Sequence, residues 1–167
     1  MRFTGLFSAL FLLAAINLFT VSAFGKDLSN RLGLGYKDQF SNDVPGIAVQ
    51  YYPSREFGLA AVLGLDTQEN ASRFGLMLKA MRVVFEEDNL NFYMGGGAGL
   101  ISTEISAGNN ESGFELNGFA GVEFFLAGLD SLGFSLETGV GISSIESQTR
   151  FRTIGDSPLR AGATFYF

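Results

Sequence analysis

The sequence predicts an all-β fold: an eight-stranded antiparallel up-and-down transmembrane β-barrel, preceded by a cleaved signal peptide. Three observations carry this prediction. Apolar and polar residues alternate with a period of two in eight successive stretches, the connections between the stretches alternate in length, and the last stretch is apolar along one whole face. An apolar outer face can contact lipid if the first and last strands pair and close the sheet into a barrel. A closed barrel leaves no strand edge with unpaired backbone groups.

The first 23 residues have the three parts of a secretory signal peptide. Arg2 is positive, residues 6–19 are almost wholly apolar, and Val21, Ser22 and Ala23 place small residues before a cut after Ala23. The apolar run is too short for a typical spanning helix, although an uncleaved N-terminal anchor helix is the alternative. We therefore predict a signal peptide over residues 1–23 and one barrel domain over residues 24–167.

The eight predicted strands follow the predicted cut without interruption by another domain. They cover residues 31–37, 45–52, 57–65, 72–85, 90–101, 114–125, 132–142 and 159–167. Most are close to the roughly 9–11 residues that a tilted strand needs to cross a bilayer. Short turns follow the second, fourth and sixth strands, as at the periplasmic end of such barrels. The two longest connections, residues 102–113 and 143–158, are predicted to be exposed outer loops.

The last strand carries a family resemblance. Leu159, Ala161, Ala163, Phe165 and Phe167 fall on its apolar face. Arg160, Gly162, Phe165 and Phe167 resemble the C-terminal signal of bacterial outer-membrane β-barrels, which the barrel-assembly machine reads. Together with the strand rhythm, this terminus resembles the small OmpA/OmpX-like outer-membrane β-barrel proteins. The resemblance implies a Gram-negative outer membrane, with its lipids and the assembly machine as partners.

The composition excludes several classes of function. The chain of 167 residues has 11 Lys and Arg against 17 Asp and Glu, a net charge of −6, which argues against a nucleic-acid partner. It contains no histidine and no cysteine, so Ser–His and Cys–His catalysis and histidine-ligated zinc are impossible. We predict a monomer that is not an enzyme and uses no cofactor and no metal.

Charged residues on the second face of the strands predict a polar network inside the barrel. An unpaired charge there would cost several kcal/mol, so a structural network of ion pairs is favoured. A proton or solute path, or an acid–base pair of glutamates, is the functional alternative. Tyr52, Tyr93 and Tyr166 share this face as filling and hydrogen-bonding groups. The predicted network comprises Arg31, Arg73, Lys79, Glu115, Glu123, Glu137 and Arg160.

Two further motifs have simpler structural interpretations. Residues 95–99 (GGGAG) resemble a phosphate-binding loop, but they lack the Lys-Ser/Thr ending and a following helix, so strand curvature explains them better. Residues 86–88 (EED) have oxygen ligands for a cation, although a solvated turn is favoured.

Three hypotheses for function follow. The first is a structural or surface-interaction protein that contacts an extracellular partner through residues 102–113 and 143–158. The second is a narrow, porin-like conduit for small or hydrophobic solutes. The third is a soluble periplasmic lipocalin-like barrel that binds an apolar ligand, which requires an apolar interior.

Overall fold

The structure, a computed structural model, describes residues 26–40, 42–106, 109–145, 148–153 and 159–167. The predicted signal peptide lies outside these residues. Within them, no helix has the length and apolar character needed to cross a membrane. The strands are β1 (Leu32–Asp38), β2 (Pro45–Tyr51), β3 (Phe57–Asp66), β4 (Arg73–Glu87), β5 (Leu90–Ser106), β6 (Asn109–Phe125), β7 (Leu132–Ile145), β8 (Gln148–Thr153) and β9 (Arg160–Tyr166).

All of these strands pair antiparallel in one sheet that closes on itself. Sequential neighbours pair from β1 to β7, β9 pairs with the first half of β7, and β9 also pairs with β1. At the seam, the backbone amide of Phe167 donates to the Leu32 carbonyl at 2.9 Å. β8 pairs with the second half of β7, so β8 and β9 together occupy one position in the barrel. The predicted closed eight-stranded antiparallel barrel is therefore confirmed.

The two predicted long loops are wrong over most of their length. β5 continues to Ser106 and β6 begins at Asn109, so most of residues 102–113 forms a paired hairpin. β7 continues to Ile145 and returns as β8, so residues 148–153 of the predicted 143–158 loop are a strand. These segments are mostly polar and lack a regular alternation of apolar and polar residues, but strand pairing depends on backbone hydrogen bonds rather than on side-chain alternation. Apolar–polar alternation in the sequence therefore stops before the paired strands stop, and it underestimates the length of these hairpins.

The outer surface of the barrel is apolar, as the face assignment predicts. Leu34 is 52% exposed, Ile47 66% and Leu78 60%. Lys26 and Phe167, the first and last residues described and hereafter called the termini, lie at one end of the barrel. Near this end, outward-facing aromatic residues form a first girdle on β2 to β7 and β9. Its members are Tyr51, Phe57, Phe85, Phe92, Phe124, Phe134 and Phe165. A second, sparser girdle toward the opposite end comprises Tyr36, Phe74, Phe114 and Phe151.

Glycines inside the barrel leave space for large rings. A Cβ atom on Gly33 would lie 2.7 Å from the ring of Tyr166, and one on Gly121 would lie 2.8 Å from the ring of Tyr93. Curvature is thus not the whole reason for the many glycines, because several also make room for interior aromatic rings.

Candidate functional site: the buried charge cluster

The interior of the barrel is layered. An aromatic layer near the termini includes Tyr52, Tyr93, Phe119 and Phe125. A second apolar layer toward the other end includes Phe40, Val44, Ala48, Val62 and Met77. The charged groups described below are buried together with these two layers. The barrel interior is therefore filled by both polar and apolar side chains, which come from the inward-facing positions of several strands.

Glu137 on β7 is the centre of the buried charge cluster. Its Oε2 lies 2.5 Å from Lys79 Nζ, and its Oε1 lies 3.6 Å from Lys37 Nζ. Tyr93 Oη donates to Oε1 at 2.7 Å, and Gln39 Nε2 donates to Oε2 at 3.0 Å. These partners come from β1, β4, β5 and the connection after β1. One carboxylate therefore ties together opposite sides of the barrel.

The cluster continues through the connection between β1 and β2. Lys79 Nζ donates to Gln39 Oε1 at 2.6 Å and lies 3.8 Å from the centre of the Phe119 ring. Arg160 donates to the Gln39 main-chain carbonyl, and its guanidinium lies 3.8 Å from Glu115. Gln39 is 2% exposed. Gln39, at the start of this connection, thus lies inside the barrel rather than above its rim.

Phe40 completes this inward fold. Its side chain is 1% exposed and packs among inward-facing glycines of β2, β3 and β4. A Cβ atom on Gly75 would lie 2.6 Å from the Phe40 ring. The ring therefore fills space inside the barrel toward the end opposite the termini.

Glu123 on β6 is held by tyrosines. Tyr166 Oη donates to its Oε1 at 2.7 Å, and Tyr52 Oη donates to its Oε2 at 3.3 Å. Gln50 Nε2 donates in turn to Tyr52 Oη at 2.8 Å. Two charge-assisted hydrogen bonds stabilise this carboxylate.

Buried formal charges balance over the part of the chain that the structure describes. There the buried cations are Lys37, Lys79 and Arg160, and the buried carboxylates are Glu115, Glu123 and Glu137. Buried charges are tolerated when each is paired or hydrogen-bonded, and imbalance would be costly. The arrangement is thus suited to holding opposite strands together. Among the described residues, no group of three or more Asp and Glu side chains is placed to hold a metal ion.

The predicted network and the observed cluster overlap but differ. Lys79, Glu115, Glu123, Glu137 and Arg160 are buried in the barrel.

Arg31 and Arg73 lie instead at opposite mouths of the barrel. Arg31 donates to Ser131 Oγ at 3.2 Å and to the Tyr166 carbonyl at 3.0 Å. Arg73 pairs with Asp66 at 3.1 Å, with about a third of each side chain exposed. A side chain must point inward along its strand to be buried, but an inward-pointing side chain at the rim of the barrel remains partly exposed.

Sequence reasoning missed three members of the interior. Lys37 lies on the same inward face of β1 as Gly33 and Gly35, so the alternation of this strand could have identified Lys37 as an interior residue. Gln39 and Phe40 lie beyond the end of β1, where no periodicity applies, so the sequence carries no comparable signal for them.

The two weaker motifs have structural roles. Residues 95–99 lie inside β5 and are paired on both sides. Glu86 accepts three hydrogen bonds from Arg55: Nε donates to both carboxylate oxygens, at 3.0 and 2.9 Å, and Nη2 donates to Oε2 at 2.5 Å.

Comparison with solved structures identifies a protein of similar fold. The crystal structure of the N-terminal β-barrel domain of Pseudomonas aeruginosa OprF matches with a TM-score of 0.60, covering 83% of this chain and 98% of that domain at 14% identity. No protein-family model matches the chain, and no curated protein gives a significant match. The likeness at this identity is one of fold, so the predicted place in the OmpA/OmpX-like family stays a prediction.

Proposed function

We propose that this chain is an integral β-barrel protein of a Gram-negative outer membrane, with a structural or surface-interaction role and no enzymatic activity. The main support is the spacing of its aromatic girdles. On β6, Phe114 and Phe124 both face outward and lie ten residues apart. At about 3.3 Å per residue this is about 33 Å along the strand, or about 25 Å of height at a tilt of about 40°. That height equals the apolar band of outer-membrane barrels.

The stacking between strands supports the same proposal. The Phe124 and Phe134 rings stack at 5.6 Å on neighbouring strands of the first girdle. Between the two girdles, the outward positions are largely aliphatic or small. In water, such an apolar belt around the barrel would strongly favour aggregation, whereas in a membrane it contacts the hydrocarbon of the lipids.

The composition of the interior favours a structural role over the two alternatives. A lipocalin-like barrel needs an apolar cavity, but the inward face here carries charged groups together with Gln50, Asn91, Asn117 and Ser135. A narrow conduit needs an open path, while ion pairs between opposite strands and the Phe40 ring fill much of this interior. We therefore rank the structural role first and the conduit second.

A surface-interaction role would use the two hairpins at the end opposite the termini. The β5–β6 hairpin exposes Ile105 at 53%, and β8 exposes Phe151 at 70%. Side chains toward the tip of the β5–β6 hairpin and along β8 are mostly exposed, and those nearer the barrel are half-buried. Arg160, Gly162, Phe165 and Phe167 are proposed to act earlier, as the signal for the barrel-assembly machine. The proposed oligomeric state is a monomer.

Heat modifiability of the outer-membrane fraction tests the location and the fold together. We expect the unboiled protein to migrate faster than the boiled protein, since a closed barrel resists detergent. Recovery in the soluble periplasm without a mobility shift would contradict the proposal.

Two measurements then separate the roles. Planar-bilayer recording should give no discrete conductance if the interior is filled, and discrete openings would favour the conduit. Shortening the β5–β6 and β7–β8 hairpins should abolish adhesion or aggregation of expressing cells while the heat-dependent shift is retained. Replacement of the exposed connection at residues 67–72 provides the control at the same end. Unchanged adhesion of the shortened variant would refute the surface role.

A further inference from the structure

A cleft of about 700 Å³ opens on the outside of the barrel near the chain termini. It lies between the turn that joins β2 to β3 and the end of β4, and its lining includes Arg55, Glu56, Arg82, Glu86, Val84 and Phe85. Two features make it unusual: it contains two complete ion pairs, and it has an apolar wall. Neither feature belongs to the buried charge cluster.

The two ion pairs of the cleft balance in charge; the Arg82–Glu56 pair is exposed, whereas the side chains of Arg55 and Glu86 are 46% and 22% exposed. Arg55 Nη2 lies 2.5 Å from Glu86 Oε2, and Arg82 Nη2 lies 3.2 Å from Glu56 Oε2. The side chains of Arg82 and Glu56 are 71% and 70% exposed. An exposed pair such as Arg82–Glu56 contributes little to stability. Its two side chains can therefore exchange partners with a ligand that carries both charges, beside the more firmly held Arg55–Glu86 pair.

The apolar wall results from an irregularity in β4. The register of β4 on β5 shifts between Val83 and Phe85, which is a β-bulge. The bulge turns two consecutive residues outward, so that Val84 is 46% and Phe85 55% exposed. Regular alternation would have placed one of them inside the barrel. The interrupted alternation of residues at Val83 to Phe85 thus corresponds to a bulge that places two apolar side chains on the outer surface.

The cleft lies at the level of the first girdle. Arg82 is the direct cross-strand neighbour of Phe57, and Phe85 is the neighbour of Phe92. Under the proposed function, aromatic girdles mark the boundary between hydrocarbon and headgroups. The guanidinium groups are then at headgroup depth, beside apolar side chains that face the acyl chains.

We propose that this cleft binds one phospholipid whose headgroup carries both a phosphate and a primary ammonium group. Guanidinium groups of Arg82 and Arg55 bind the phosphate, since arginine forms paired, charge-assisted hydrogen bonds with phosphate oxygens. The carboxylates of Glu56 and Glu86 accept hydrogen bonds from the ammonium group. An anionic headgroup without the ammonium leaves both carboxylates facing negative charge and is disfavoured. This inference rests on the proposed membrane location.

Native mass spectrometry of the full chain in detergent tests the proposal with three probes of identical acyl chains: phosphatidylethanolamine, phosphatidylcholine and phosphatidylglycerol. We expect phosphatidylethanolamine to bind roughly tenfold more tightly than the other two, a difference of about 1.4 kcal/mol. Arg82→Gln and Glu56→Gln should each remove this preference. Arg73→Gln and Asp66→Asn are the matched controls, because they break the exposed ion pair at the other end of the same two strands.

The outcomes separate this inference from the proposed function. Equal binding of the three lipids, or a preference that survives Arg82→Gln, would overturn the headgroup assignment while the heat-dependent mobility shift still supports the barrel. Displacement of the lipid by an equal concentration of soluble phosphoethanolamine would overturn the role of the apolar wall. A chain found in the soluble periplasm would instead refute the proposed function. The mobility shift of each variant verifies its fold before binding is measured.

Discussion

Glu137→Gln should destabilise the barrel strongly although it preserves the shape of the side chain. The substitution removes the negative charge that faces Lys79 at 2.5 Å and Lys37 at 3.6 Å. Of the buried charges among the described residues, three cations and two carboxylates then remain. Glutamine still accepts the hydrogen bond from Tyr93, so the main loss is charge compensation rather than packing.

The expected loss is about 3–5 kcal/mol of unfolding free energy, the usual cost of removing one partner of a buried ion pair. A second substitution sharpens the test. Combining Glu137→Gln with Lys79→Met restores the balance to two cations and two carboxylates. The double variant should therefore be more stable than the sum of the single effects predicts, by about 0.5–3 kcal/mol of coupling.

Urea unfolding of the detergent-solubilised protein measures these changes, followed by far-UV circular dichroism and by the mobility shift. Asp130→Asn is the control, because it breaks an ion pair with Lys26 in which the aspartate side chain is 70% exposed, and it should cost under about 1 kcal/mol. A Glu137→Gln variant that loses no more than this control would refute the reasoning. So would a double variant whose effect equals the sum of the two single effects.

Three further predictions concern other layers of the barrel. Gly75→Ala places a methyl group 2.6 Å from the inward-folded phenylalanine ring and should cost about 1–3 kcal/mol in urea unfolding; Gly96→Ala, whose added carbon has no neighbour closer than 3.4 Å, should cost much less, and equal losses would contradict the assigned ring position. Tyr166→Phe removes one of the two tyrosine hydrogen bonds to Glu123 and should lower the unfolding free energy by about 1.5–3 kcal/mol; an unchanged urea midpoint would show that this bond is dispensable. Leu78→Arg places a charge midway between the girdles on the outer face and should cost about 2–4 kcal/mol in lipid vesicles, whereas a negligible loss there would refute the membrane orientation.

Most of the barrel could be predicted from the sequence because each strand has one face toward the barrel interior and the other toward the apolar outer surface. Leu34, Ile47 and Leu78 alternate with inward residues, and a period of two admits only two assignments of the faces. The apolar terminal strand, which ends on Phe165 and Phe167, indicates which face is outside. The buried positions of Lys79 and Glu137 follow from the same parity.

The contacts of the interior could not be predicted in this way. Parity places Glu115, Glu123 and Glu137 inside, but it does not say that Glu123 binds two tyrosines while Glu137 binds two lysines. Those partners come from strands that are distant in sequence and meet only when the barrel closes. Likewise, the inward position of the Phe40 ring depends on space left by glycines of β2, β3 and β4.

The sequence by itself determined the fold class, the outward apolar face and most of the buried charges, because these follow from local alternation that repeats along the chain. Only the tertiary structure decided three other features: the pairing of the charges, the length of the outer hairpins and the position of the β4 bulge. Each of these depends on register between strands and on distances across the barrel. A pattern read along a single strand contains neither quantity.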